Sequence, residues 1–145
     1  MKTVSTILKR KGSNVFSIPP HITVYDALVI MADKNIGSLA VTQEGEYLGV
    51  FTERDYARKI SLQGKSSKET TVEETMSRDL PLVTPEDSVD KCMQLMTQHN
   101  VRYLPVMNNG KLSGLLSIMD VIQETMITQQ ETIEQLENYI RGDIS

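Results

Sequence analysis

A single cysteine, Cys92, stands among the 145 residues, with two histidines, two phenylalanines and no tryptophan. One cysteine closes no internal disulfide, and one cysteine with two histidines is too small a set for a structural zinc site. An excess of basic charge is also missing. Lys plus Arg number 15 against 19 Asp plus Glu, a formal net charge of -4. That removes the electrostatic footprint of a general nucleic-acid binder. No apolar run is long enough to read as a membrane span. The opening MKTVSTILKRKG has basic residues with no apolar stretch behind them, unlike a secretory signal. The expected setting is the cytoplasm, a reducing compartment. His21, His99 and Cys92 show no spacing that makes a catalytic dyad or triad, and Cys92 falls on the apolar face of a helix, so no enzyme is expected.

What the sequence does have is a repeat. Shifted by 65 positions, it matches itself without a gap at Pro20/Pro85, Val24/Val89, Met31/Met96, Asn35/Asn100, Leu39/Leu104, Val41/Val106, Gly45/Gly110, Gly49/Gly114 and Asp55/Asp120. Each copy predicts the same local structure. An extended piece, Val15–Ile18 or Leu80–Val83, leads into a helix with apolar residues at helical spacing, starting after Thr23 or Ser88. Two strands follow, Ser38–Thr42 and Tyr47–Phe51, or Tyr103–Met107 and Lys111–Leu116, joined at Glu44-Gly45 or Asn109-Gly110. A second helix begins at Thr52 or Ser117. The fold class is therefore mixed α/β (α+β), a β-α-β-β-α unit used twice. The predicted organisation is a first repeat with its N-terminal segment at 1–62, a polar linker at 63–75, a second repeat at 76–125 and a helical extension at 126–145. In the extension, Met126, Ile133, Leu136 and Ile140 mark one helix face and Glu131, Glu134 and Glu137 a solvated one, with Arg141-Gly142 as a stop signal. A second subunit is the simplest cover for the apolar face.

The element richest in chemistry is Gly49-Val50-Phe51-Thr52-Glu53-Arg54-Asp55, echoed by Gly114-Leu115-Leu116-Ser117-Ile118-Met119-Asp120. Ser or Thr followed three residues later by an acid is a capping box. The same hydroxyl and carboxylate suit the vicinal diol of a ribose, and the glycine would allow a ligand close to the strand. Both readings stand on spacing alone.

The doubled motif, the Leu104-Pro105-Val106 strand and the Glu53-Arg54-Asp55-Tyr56 stretch together resemble a tandem pair of cystathionine-β-synthase (CBS) domains, a Bateman module, over roughly residues 5–125. The resemblance implies a pseudo-two-fold arrangement and regulatory binding of AMP, ADP, ATP, NAD(H) or S-adenosylmethionine, with no cofactor required. It implies a homodimer that reports energy or redox state to an effector protein. Carried over by position, Asp55 and Asp120 hold ribose in two related sites, and Thr52 and Ser117 contact ribose or phosphate. Val15, Phe16 and Ile18, with Leu80, Pro81 and Val83, hold adenine. Arg102 and Arg54 are phosphate candidates, and their counterparts Gly37 and Met119 carry no charge, so the sites are not equivalent. Lys65, Ser66, Ser67 and Lys68 are possible phosphate contacts from the linker. The alternative is a scaffold that binds no ligand and acts through its C-terminal helix.

Overall fold

The computed structural model describes residues 2–12 and 14–142. Met1 and residues 143–145 of the expected extension lie outside the described residues. The elements run α1 (Val4–Lys11), β1 (Ser17–Ile18), α2 (Val24–Lys34), β2 (Ser38–Gln43), β3 (Glu46–Thr52) and α3 (Glu53–Asp55). A wider π-helical turn, Tyr56–Ser61, and a 3-10 turn, Val72–Glu74, lead to α4 (Val89–His99), β4 (Tyr103–Asn108), β5 (Lys111–Ser117) and α5 (Ile118–Ile140). The architecture is the expected α+β pair of repeats with a C-terminal helix.

The repeat is visible down to single hydrogen bonds. Thr23 and Ser88 cap α2 and α4, their hydroxyls accepting from Asp26 N–H at 3.1 Å and Lys91 N–H at 3.0 Å. Asn35 and Asn100 end those helices in the left-handed conformation, φ 54° and 52°. β2 pairs antiparallel with β3 and β4 with β5, each with a register shift at the same place, Val41/Thr42 and Val106/Met107. Both hairpins turn through two residues of positive φ, Glu44-Gly45 and Asn109-Gly110, as a type I′ turn requires.

The lead pieces differ. In the first repeat Ser17 and Ile18 pair parallel with Ala40 and Val41, making a three-stranded sheet. In the second, Leu80–Val83 is no strand. Only Val83 reaches β4, donating to the Pro105 carbonyl at 3.0 Å while its own carbonyl accepts from Met107 at 2.8 Å. In the first repeat Ala40 N–H donates to the Phe16 carbonyl at 3.2 Å; its counterpart Pro105 has no N–H to give the Pro81 carbonyl, so the pairing stops at one bridge.

The two cores exchange segments. Val4 and Ile7 of α1, ahead of the lead piece Val15–Ile18, are buried with Val83, Leu104, Leu116 and Val121 in the second repeat's core. Val72 and Met76, ahead of the lead piece Leu80–Val83, are buried with Leu39, Phe51 and Ile60 in the first. Backbone bridges fix both crossings, Thr3 to Ser88 and Thr71 to Thr23. The N-terminal segment, expected to travel with residues 1–62, thus packs against the other half. Burying each such aliphatic side chain contributes about 1.5–3 kcal/mol, so the exchange ties the halves together.

The first turns of α5 bury Val121 and Glu124 against this core, Glu124 paired with Arg10 of α1 at 3.2 Å. From residue 129 the described part of α5 is exposed throughout. No helix of the described residues is long and apolar enough to cross a membrane.

Candidate functional site

Both capping boxes form. Thr52 Oγ1 accepts from Asp55 N–H at 3.0 Å, and Asp55 Oδ2 accepts from Thr52 N–H at 3.0 Å and from the Thr52 hydroxyl at 3.0 Å. Ser117 Oγ accepts from Asp120 N–H at 3.2 Å, and Asp120 Oδ2 accepts from Ser117 N–H at 2.8 Å. The rest of each carboxylate's surroundings differ. Asp55 Oδ1 accepts from the Ser77 hydroxyl at 2.8 Å and faces the Lys59 ammonium at 3.0 Å. A carboxylate offers about four acceptor positions, and here the chain itself fills them. Asp120 Oδ2 takes the Lys11 ammonium at 2.7 Å, and Lys11 also donates to the Leu115 carbonyl at 3.0 Å. Among the described residues nothing donates to Asp120 Oδ1.

The motif glycines serve the exchanged segments. A Cβ on Gly49 would stand 2.6 Å from the Ser77 carbonyl oxygen, and one on Gly114 would stand 2.8 Å from Leu8 Cδ2. The space expected to admit a ligand at these two positions is filled by the chain.

Two cavities open between the repeats, and each mixes residues of both. The Asp55 cavity, about 330 Å³, joins Thr52, Arg54 and Asp55 of the first repeat to Leu80 and Arg102 of the second. The Asp120 cavity, about 620 Å³, joins Ser117 and Asp120 of the second to Val15 and Phe16 of the first. Tyr103 lines both. Both volumes lie in the range of small-molecule sites, roughly 300–1,000 Å³. Sequence position named these residues and the structure pairs them crosswise.

Charge separates the cavities. Around Asp55 stand four cations, Arg54, Arg58, Lys59 and Arg102, and His99, against the carboxylates of Asp55 and Asp79. Arg54 donates to the Asn100 carbonyl at 2.7 Å, which ties the halves across the cavity. Lys59 donates to the Thr75 carbonyl at 2.9 Å and pairs with Asp55. Among the described residues Arg58 and Arg102 make no ion pair or side-chain hydrogen bond, so two planar donor forks are available to an anion. The Asp120 cavity has one cation in its lining, Lys11, already engaged, beside the apolar Leu8, Phe16, Leu115 and Met119. Burial, and then the Glu53 carboxylate, push the Tyr103 phenol above its usual value, with the Ser38 hydrogen bond and Arg102 opposing.

The other expected contacts stand elsewhere. Ile18 and Val83 are buried in the two cores, and Pro81 is half-buried outside both linings. The linker Lys65, Ser66, Ser67 and Lys68 lines neither cavity. It closes over the start of α2, where the Ser67 carbonyl accepts from Tyr25 N–H at 2.9 Å, the Ser66 carbonyl accepts from the Thr70 hydroxyl at 2.7 Å and the Lys68 ammonium lies 5.0 Å from the Tyr25 ring centre. Sequence reading missed Lys11, Arg58, Lys59, Ser77 and Tyr103. Arg58 and Lys59 had a local signal, lying one helical turn beyond Arg54 and Asp55. Lys11 had none, because 109 residues separate it from Asp120.

The family profile described as "CBS domain" matches residues 4–62 and again 72–126. The chain belongs to the CBS domain family. It is a tandem CBS pair, and it is similar to the mitochondrial CBS domain-containing protein CBSX3 of Arabidopsis thaliana, at 39% identity over 97% of this chain and 72% of that protein. The CBS pair also superposes on a putative signal-transduction protein with CBS domains from Burkholderia ambifaria, at 45% identity and TM-score 0.83, over 88% of this chain and 96% of that one. A third likeness, at 25% identity and TM-score 0.76, is the CBS domain pair of protein MJ0100, solved with 5′-methylthioadenosine and S-adenosylmethionine and covered over 86% of this chain and 99% of that one.

Proposed function

We infer that this CBS pair is a regulatory sensor of adenosyl nucleotides with no chemistry of its own. AMP is the first candidate ligand, and ADP, ATP and NAD(H) belong to the same class. The observation that carries the reading is the pair of unengaged guanidinium groups, Arg58 and Arg102, which reach one cavity from different repeats. A phosphate held by both forks bridges the halves. Such a ligand favours the arrangement in which the halves sit closest, which is the differential affinity that signalling needs. Leu80 and Val101 offer the purine an apolar wall, and Thr52 and Ser77 offer hydroxyls. A ribose diol reaches Asp55 by displacing Ser77 or Lys59. The adenosyl ligands in the MJ0100 pair support the same class. In this reading the protein works as a cytoplasmic homodimer that passes the ligand state to an effector protein, although the Arabidopsis relative is named as mitochondrial.

The test is isothermal titration of nucleotide-free protein with AMP, ATP, NADH and S-adenosylmethionine, with Arg102→Ala beside it. The expected result is micromolar binding of AMP, weakened about tenfold by the substitution, or about 1.4 kcal/mol. If none of the four binds, the reading falls.

A second reading has its own observation. Ile133, Leu136, Tyr139 and Ile140 of α5 are exposed apolar residues. A scaffold that assembles through this helix, with no ligand, would lose its assembly when residues 127–145 are removed. Light scattering of the shortened chain decides that. A dimer that survives the truncation rejects it.

A further inference from the structure

Away from the cavities, the longest uncovered apolar feature is one face of α5. From Met119 to Ile140 the helix is written in heptads. Met119, Met126, Ile133 and Ile140 hold the first seam position, and Ile122 and Leu136 the second, with Gln129 as the one polar member. That spacing belongs to a helix that packs lengthwise on another helix. The chain does not cover the seam itself: Met119, Met126, Ile133, Leu136 and Ile140 are between 48% and 82% exposed. Val121 and Glu124, on a different face, are the residues of α5 buried against its own core. At the usual rise per residue the seam is about 33 Å long.

The residues also say which helix fits. Where α5 stands clear of the core, the seam reads Ile133, Leu136, Ile140. β-Branched residues at the first position with leucine at the second favour two parallel strands. Beside the seam stand Thr125, Gln130, Thr132 and a single charge, Glu137, so a second copy brings no like charge opposite it. In a parallel pair Thr132 of one copy meets Glu137 of the other. Gln129 decides the direction. Every first-position residue is Met or Ile, so any antiparallel pairing sets the Gln129 amide against an apolar side chain and buries it without a partner. A parallel, in-register pair sets it against its own equivalent, where two amides can hydrogen-bond each other. One polar pair of this kind fixes register and strand number.

We propose that α5 joins α5 of a second copy as a parallel, in-register two-stranded coiled coil, with Gln129 paired to Gln129. This goes beyond both functional readings above and is compatible with either. It puts both pairs of repeats at the same end of the rod. Met119, which opens the seam, also lines the Asp120 cavity, so the two Asp120 cavities flank the start of the coil.

The experiment oxidises the full chain carrying Leu136→Cys and reads covalent dimer on a gel without reductant. The parent, whose one cysteine is the buried Cys92, is the blank. Leu136→Cys should form dimer far faster than Glu134→Cys, which lies off the seam. In the chain carrying both Met126→Cys and Leu136→Cys, mass spectrometry should find position 126 joined to 126 and 136 to 136. By light scattering the parent should be a dimer at micromolar concentration, and Ile133→Asp, at an exposed position, should weaken the dimer at least about tenfold, or about 1.4 kcal/mol. A monomeric parent, equal oxidation of Leu136→Cys and Glu134→Cys, a bridge from 126 to 136 between chains, or a dimer indifferent to Ile133→Asp each overturns the proposal. No nucleotide enters these measurements, so their failure leaves the adenosyl reading to its own test.

Discussion

The two carboxylates of the repeated motif follow the same glycine, apolar pair and hydroxyl in sequence and share the same capping geometry in space, yet they are not the same group. Asp55 is held from within its own half by Thr52 and Lys59, and by Ser77 from the segment that follows the linker. Asp120 depends on Lys11, a residue from the opposite end of the chain, and keeps one oxygen open. Duplication copied the helix start and left the surroundings free to diverge. The contrast teaches that a motif fixes local backbone chemistry, while the cavity in front of it is set by whatever segment happens to cross there.

That comparison can be broken most forcefully through the exchanged segments. Ile7→Ala should cost about 2–5 kcal/mol in denaturant unfolding, the usual range for emptying a buried aliphatic site. The loss should appear in the hydrogen exchange of β4 and β5, although residue 7 precedes β1. Faster exchange confined to β2 and β3 would contradict the packing described above. The carboxylates come next. Asp55→Ala removes a buried group from four donors and should destabilise by about 2–3 kcal/mol. Asp120→Ala at its more open site should lose about 1 kcal/mol, the worth of a cap. Equal midpoints for the two variants in thermal melts would erase the distinction. Arg58→Ala should leave the melting curve within about 0.5 kcal/mol of the parent while weakening AMP several-fold by titration. Smallest of all is Cys92, the counterpart of Ala27. Burial pushes its thiol up to about 11. A raised value keeps the thiol protonated at neutral pH, so a thiol reagent should modify it only as the chain unfolds. Rapid labelling of the native protein would place Cys92 outside the core.

Much of this was legible in the sequence because it is local. Thr23, Ser88, Thr52 and Ser117 announce helix starts within three residues, and Glu44-Gly45 and Asn109-Gly110 announce hairpins within two. The gap-free 65-residue offset carried one half's pattern onto the other. What escaped was contact at long range. Nothing around Lys11 says that it will meet Asp120, and nothing around Val4 or Val72 says that each will leave its own half. The lost strand at Leu80–Val83 was half legible. Pro105 is in plain view where the first repeat has Ala40, but its effect depends on needing an N–H that only the pairing with the lead segment reveals. Of the candidate site, the residues next to the doubled motif reached the cavities. The linker lysines and serines did not, because the start of α2 takes up the Ser67 carbonyl and the Lys68 charge, and Thr70 takes up the Ser66 carbonyl.

The crossing of the lead segments also has a consequence for how the protein is made. A chain emerges from the ribosome N-terminus first, at roughly 5–20 residues per second. α1 therefore appears before the segments it packs against, and Val4 and Ile7 find their partners only when Leu104, Leu116 and Val121 have been added. The first half, meanwhile, completes its core with Val72 and Met76. α1 is synthesised ahead of both halves and put away last, so a nascent chain halted in the linker exposes α1 with no surface of its own to lie on.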